Sequence, residues 1–293
     1  MSDLNGQSTE QSTITAKAKA ARKQSQILLL VVVALLIGVS FFTWKKTWFG
    51  GDLNDTQIGE YLNHTDKVRD IQHALNILEK RIEENDPEVK RWYPQIIAQS
   101  TSPQSEVRLM AAWVMGQDNK SEEFHTALLT LVNDPVPLVR RNAALGLVRF
   151  NDQRGRPELV AMLHPYDIKA PAAGMITTAF QNGDTAGIGV LVASIRQENG
   201  PDVEIRSPMK GDVRSLLKEG TKVAVGDLVL QLGPDQETVA SALTGLTLIG
   251  DADNVPDVEH YVTGEPNMPK RIKDQAARTA DALRNRQPKP LTN

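Results

Sequence analysis

The residues able to carry chemistry are scattered rather than grouped. The five histidines, His64, His73, His125, His164 and His260, show no i, i+4 pairing and share no short motif, so no helical metal-ligand pair is expected. Glu83-Glu84 and Glu122-Glu123 could in principle work as acid and base; they are expected to be solvated helix faces. Asp251-Ala252-Asp253-Asn254-Val255 opens like a calcium loop but has neither the glycine nor the closing glutamate that such a loop needs. Gly187-Ile188-Gly189-Val190-Leu191-Val192 lacks the third glycine of a dinucleotide loop. No Gly-x-Ser-x-Gly elbow or phosphate loop occurs. The chain has no cysteine, which excludes disulfides, thiolate nucleophiles, zinc–sulfur sites, Fe–S clusters and c-type haem attachment. The expectation is therefore a non-enzyme with no catalytic residue, no cofactor and no metal.

Two sets of elements must position whatever the chain does, and both are internal repeats. In the first, Ile168 is matched 37 residues later by Ile205, Pro171 by Pro208, Gly174 by Gly211, Gly183 by Gly220, Gly189 by Gly226 and Leu191 by Leu228. Each copy is short, glycine-punctuated and β-like. In the second, Val107-Arg108 returns 32 residues later as Val139-Arg140, Ala111-Ala112 as Ala143-Ala144, and Met115 as Leu147. Val107, Met110, Ala111 and Val114 have the period of a half-buried helix. Val68-Arg69 with Ala74 and Ile77 looks like an earlier copy. After the β-like segment the helical pattern resumes, with Val239 to Leu243 starting one helix, Val255 to Glu259 its partner, and Ile272 to Arg284 a last unit.

The string from Asn133 to Gly146, with Asp134-Pro135, Val139-Arg140 and Ala143-Ala144, resembles the HEAT-repeat family. The doubled β segment, with Ala170-Pro171-Ala172-Ala173-Gly174 and Gly183-Asp184 in one half and Ser207-Pro208-Met209-Lys210-Gly211 and Gly226-Asp227 in the other, resembles the biotinyl/lipoyl carrier fold, or barrel-sandwich hybrid. Carriers of that family attach their cofactor to a lysine on the hairpin joining the halves. Here Gly200 occupies the expected lysine position, no lysine lies between Arg196 and Arg206, and Asn199-Gly200 is a good tight-turn sequence. Lys210 sits in the second proline–glycine turn instead, and is rejected as an acceptor. Unmodified versions of the fold resemble the membrane-fusion or periplasmic adaptor proteins, although those splice a helical hairpin between the halves.

Ile27 to Trp44 is a run of 18 uncharged residues, near the lower limit for a membrane span. Four basic residues precede it (Lys17, Lys19, Arg22, Lys23) and two follow (Lys45, Lys46), a bias that places the N-terminus in the cytoplasm. From Asp52 to Asn293 come 27 Lys and Arg against 34 Asp and Glu, and no basic run interleaves with aromatics, so nucleic acid is not an expected partner.

The expected architecture is α+β and multidomain: a disordered cytoplasmic leader (1–26), a transmembrane anchor (27–48), HEAT-like helices (56–165), a small all-β barrel-sandwich hybrid (166–234), continued HEAT-like helices (235–286) and a tail (287–293). The expected role is a single-pass, inner-membrane adaptor or scaffold whose bulk is periplasmic and whose partners are membrane or periplasmic proteins. A biotin- or lipoyl-type carrier, or an accessory for cofactor or pigment attachment, is the alternative.

Overall fold

The computed structural model describes residues 53–178, 180–265 and 268–286. Ten α-helices and eight strands follow one another from Asp55 to Arg284. The helices are α1 (Asp55–Leu62), α2 (Val68–Glu83), α3 (Tyr93–Ala98), α4 (Ser105–Met115), α5 (Glu122–Leu131), α6 (Pro137–Arg149), α7 (Arg156–Ala161), α8 (Gln236–Ile249), α9 (Val255–Thr263) and α10 (Lys270–Arg284). They pair as five hairpins, α1 with α2, α3 with α4, α5 with α6, α7 with α8 and α9 with α10, and the even-numbered helices stack on one another in sequence. Boundaries follow the local chemistry. Ser121 caps α5 through Phe124 N–H at 3.3 Å and Asp235 caps α8 through Thr238 N–H at 2.9 Å, while proline opens α3, α6, α7 and α9, where its missing N–H has no partner to lose.

The helix starting near Val255 was expected to pair with the one starting near Val239. In the structure α9 packs on α10, and the hairpin partner of α8 is α7. The whole β module is thus spliced into the turn of one helical hairpin. The apolar core ignores the interruption: Ala144 and Val148 of α6, Leu159 of α7, Leu243 and Leu246 of α8, Tyr261 of α9 and Ile272 and Ala276 of α10 form one buried cluster. In α4 the buried stripe is Val107, Ala111, Val114 and Met115. Met110, expected in that stripe, is only half-buried, because the inner face is centred one residue further round the helix.

Strands β1 (Tyr166–Lys169), β2 (Gly174–Thr178), β3 (Thr185–Ala186), β4 (Leu191–Arg196), β5 (Val203–Arg206), β6 (Gly211–Leu216), β7 (Lys222–Val223) and β8 (Leu228–Pro234) form two four-stranded antiparallel sheets, ordered β1-β8-β6-β3 and β5-β4-β2-β7. Adding one half-repeat to each strand of the first sheet generates the second. The register obeys the same operation: Ile176 faces Ile195 and Val213 faces Leu232, while Gly174 faces Val223 and Gly211 faces Ala186. Each half therefore splits its strands between the two sheets, two to each, so that every sheet is built from both halves. The turn glycines are matched too. Gly183 and Gly220 have φ of +94° and +78° and donate to the carbonyls of Val213 and Ile176 at 2.8 and 2.9 Å, a conformation that L-residues rarely adopt. Gly174 and Gly211 allow strand backbones to touch: a Cβ on Gly211 would sit 2.5 Å from the Gly233 carbonyl oxygen, and one on Gly174 would strike that of Arg196. The module has its own core, which Leu138 of α6 joins from outside.

Several expectations are corrected here. Among the described residues the longest helix, α2, has 16 residues, and no helix is long and apolar enough to cross a membrane. These helices bury one stripe against neighbours and keep polar residues on the other side. The fold as read with an N-terminal transmembrane helix, and the single-pass inner-membrane placement built on it, do not stand. The segment 27–48 to which the anchor was assigned, the leader at 1–26 and the tail at 287–293 lie outside the described residues. The joining hairpin also differs from the tight turn expected at Asn199-Gly200. Residues 197–202 form a six-residue loop between β4 and β5, with Gly200 at φ +140°.

Candidate functional site

Three regions of the molecule are built in a way that goes beyond core packing. The first is a ladder along the solenoid. Arg108, early in α4, donates to Asp134 Oδ2 and Oδ1 at 2.7 and 3.0 Å and to the Ser102 carbonyl at 2.9 Å. One repeat later Arg140 donates to Glu158 Oε2 at 3.0 Å and to the Asp134 carbonyl at 2.9 Å. Each arginine so ties the loop before its own helix to a carboxylate of the following unit. Burial pushes the Asp134 carboxyl up, but Arg108, the Val136 N–H and Arg140 outweigh it and leave it below the usual range.

On the side that the even-numbered helices turn to solvent, this ladder leaves one large aromatic uncovered. Trp113 of α4 is 39 % exposed. Its indole N–H donates to Glu79 of α2, and the guanidinium of Arg149, at the end of α6, lies over its ring at 5.9 Å. Three consecutive hairpins converge on it, so the ring is held at a fixed place while part of it stays exposed.

The second region is a cleft of about 650 Å³ between the β module and the C-terminal helices, lined on one side by Thr185, Lys210, Asp212 and Arg214 and on the other by Asp235, Gln236, Glu237, Glu265 and Arg271. Two ion pairs hold it. Lys210 Nζ lies 3.3 Å from Asp235 Oδ2, and Arg214 Nη2 lies 2.9 Å from Glu265 Oε2, whose other oxygen is 3.1 Å from His260 Nε2. Burial pushes the Asp235 carboxyl up, but the Thr238 N–H and hydroxyl and then Lys210 more than offset it, so it stays below the usual carboxylate range. Gly233 lets the Arg214 side chain lie flat across β8, where a Cβ would collide with it.

The third region is the seam where α6, α7, α8 and β1 meet. Arg141 is 7 % exposed there, and its buried Nε has no hydrogen-bond partner. Burial lowers its pKa, Glu158 and Asp235 pull the other way, and Arg140 adds to the lowering. A buried guanidinium nitrogen left without a hydrogen-bond partner costs about 1–3 kcal/mol.

The residues weighed from sequence fall elsewhere. Lys210 is 55 % exposed in its side chain and ion-paired to Asp235, while its neighbour Met209 is buried in the β core. Gly200 lies in the exposed 197–202 loop. The histidines stay apart: His64 contacts Asp70 at 3.0 Å, His125 contacts Asp152 at 2.7 Å, His164 contacts Asp257 at 2.9 Å and His260 contacts Glu265, while His73 sits 6.1 Å from the Tyr61 ring. The Asp251 segment is a helix cap, in which Asp251 and Asn254 form a capping box and Asp251 pairs with Arg156. Sequence reasoning missed Trp113, Arg141 and the Arg214–Glu265 pair. Trp113 carried a signal, an aromatic standing off the apolar stripe of its helix in a chain with only 5 % aromatics. Arg141 carried none, since Arg140-Arg141 does not say which side chain turns inward.

A family profile described as HEAT repeats matches residues 93–176. The match begins at α3 and runs past the last helix before the β module into β2. No curated protein matches the chain. HEAT repeats suggest a protein–protein interaction scaffold, and protein partners in general follow from them.

Proposed function

We propose that the chain is a non-enzymatic scaffold that binds a partner protein across the solvent face of its even-numbered helices, with the β module as a second docking body. The observation that carries this is Trp113, a half-exposed aromatic braced by Glu79 and Arg149 from the neighbouring hairpins. Exposed aromatics flanked by arginine are the residues that dominate binding energy at protein interfaces, and stacked helical repeats present such residues on one extended face.

The β module is read as a barrel-sandwich hybrid similar to biotinyl/lipoyl carriers. The exchange of strands between its halves supports that reading. Its 197–202 loop offers no ε-amino group, which favours docking over cofactor carriage, and an intact mass equal to that of the unmodified chain is the expected result.

The test of the scaffold is recovery of partners by the tagged full chain and by Trp113→Ala. The expected outcome is a partner retained by the parent and lost by the variant, with an unchanged circular dichroism spectrum. Equal recovery by both would overturn the assignment to this face.

A further inference from the structure

We infer that the seam between α6, α7, α8 and β1 is an oxyanion site centred on Arg141, which takes a carboxylate or phosphate group presented by a docked ligand. This deepens the scaffold reading but stands on residues separate from the Trp113 face.

The charges at the seam do not balance. Three cations, Arg140, Arg141 and Lys210, face two carboxylates, Glu158 and Asp235. Both carboxylates are already engaged. Glu158 accepts from Arg140 at 3.0 Å; Asp235 accepts from the Thr238 N–H at 2.9 Å and pairs with Lys210 at 3.3 Å. Arg141 is the cation in excess, and among the described residues it has neither an ion pair nor a side-chain hydrogen bond. Its guanidinium offers five donors in a planar fork matched to the two oxygens of an oxyanion. A hydrophobic side chain would fill the same place without the cost of desolvating a charge, so the position is better suited to recognition than to packing.

Two neighbours favour the same ligand. Helix α8, with 14 residues, begins at the seam, so its positive end adds to the field. Asp235 also lines the 650 Å³ cleft beside Lys210, which brings a second, exposed cation next to the start of the helix.

The test uses the full chain and inorganic phosphate as the probe, compared with chloride at equal ionic strength, by melting temperature and by calorimetric titration. The parent is expected to show a saturable rise with phosphate. Arg141→Gln is expected to bind at least about tenfold more weakly, as loss of a charge-assisted bidentate contact implies. Asp235→Asn keeps the helix cap but removes a competing negative charge, and is expected to bind more tightly than the parent. Should Arg141→Gln fail to fold, Arg141→Lys, which keeps the charge without the fork, is expected to bind more weakly than the parent. An identical phosphate response in the parent and the variants, or no saturable response in the parent, would overturn the inference. Because the partner-recovery experiment turns on Trp113, a lost phosphate response with partner binding intact would reject this site alone.

Discussion

In the helical region Arg108 and Arg140 stand 32 residues apart in equivalent places, and each reaches forward to a carboxylate of the next unit. In the β module Ile168 and Ile205 stand 37 residues apart, and each pairs with a strand belonging to the other half: Ile168 faces Leu230 and Ile205 faces Ala193. One repeat is propagated by translation and the other is closed by two-fold exchange. A translated array leaves every unit with a free face, whereas a closed pair consumes its own edges. That difference explains why the exposed, braced aromatic belongs to the helices and why the β module behaves as a compact body set into a single hairpin.

The closed repeat is the easier to break. Gly174→Ala and Gly211→Ala each drive a Cβ into a backbone carbonyl of the neighbouring strand, and each is expected to destabilise by about 3 kcal/mol. Denaturant midpoints check this, and two-fold closure predicts similar losses for the pair. In the translated repeat the cost follows the burial of the carboxylate left behind. Arg108→Ala strands Asp134, whose side chain is 6 % exposed, and should lose about 2–3 kcal/mol; Arg140→Ala strands the more exposed Glu158 and should lose about 1–2 kcal/mol. The reverse order would mean that the ladder does not carry the stacking.

A pH-dependent effect is expected at Asp152. Burial raises its carboxyl, but Arg154, through side chain and backbone, and His125 together bring it down to about 2 from an ordinary 3.8. A depressed carboxylate stabilises the fold above its unfolded value and loses that contribution as it is protonated. The stability gap between the parent and Asp152→Asn should therefore be full above pH 3.8 and shrink as pH falls toward about 2. A gap independent of pH in that window would contradict the ionised state. Smallest of all, Trp113→Ala should change stability by about 1 kcal/mol, since the ring is partly exposed and lies outside the buried core; its larger effect belongs to binding.

Much of this was legible in the residues, and the failures have physical causes. The 37-residue spacing anticipated the paired glycines because Gly183 and Gly220 need a left-handed backbone and Gly174 and Gly211 need close approach, demands that only glycine meets easily. The spacing could not show that each half divides its strands between two shared sheets, since a repeat states likeness and not connectivity. The pairing of α7 with α8 was hidden for a related reason: the two helices lie 75 residues apart in sequence, from 161 to 236. Arg141 was invisible because burial of one arginine in an Arg-Arg pair depends on tertiary packing. The apolar run from Ile27 to Trp44 led to an anchor at 27–48 because hydropathy reads composition alone, and no helix of the described residues is long and apolar enough to span a membrane.

The most direct test of the scaffold places a photo-crosslinking amino acid at Trp113 and, as a control, at the exposed Thr126 of α5, on the odd-numbered layer. The account predicts a discrete protein adduct from position 113 that is absent from position 126. The same adducts from both positions, or none from 113 while 126 yields one, would contradict it.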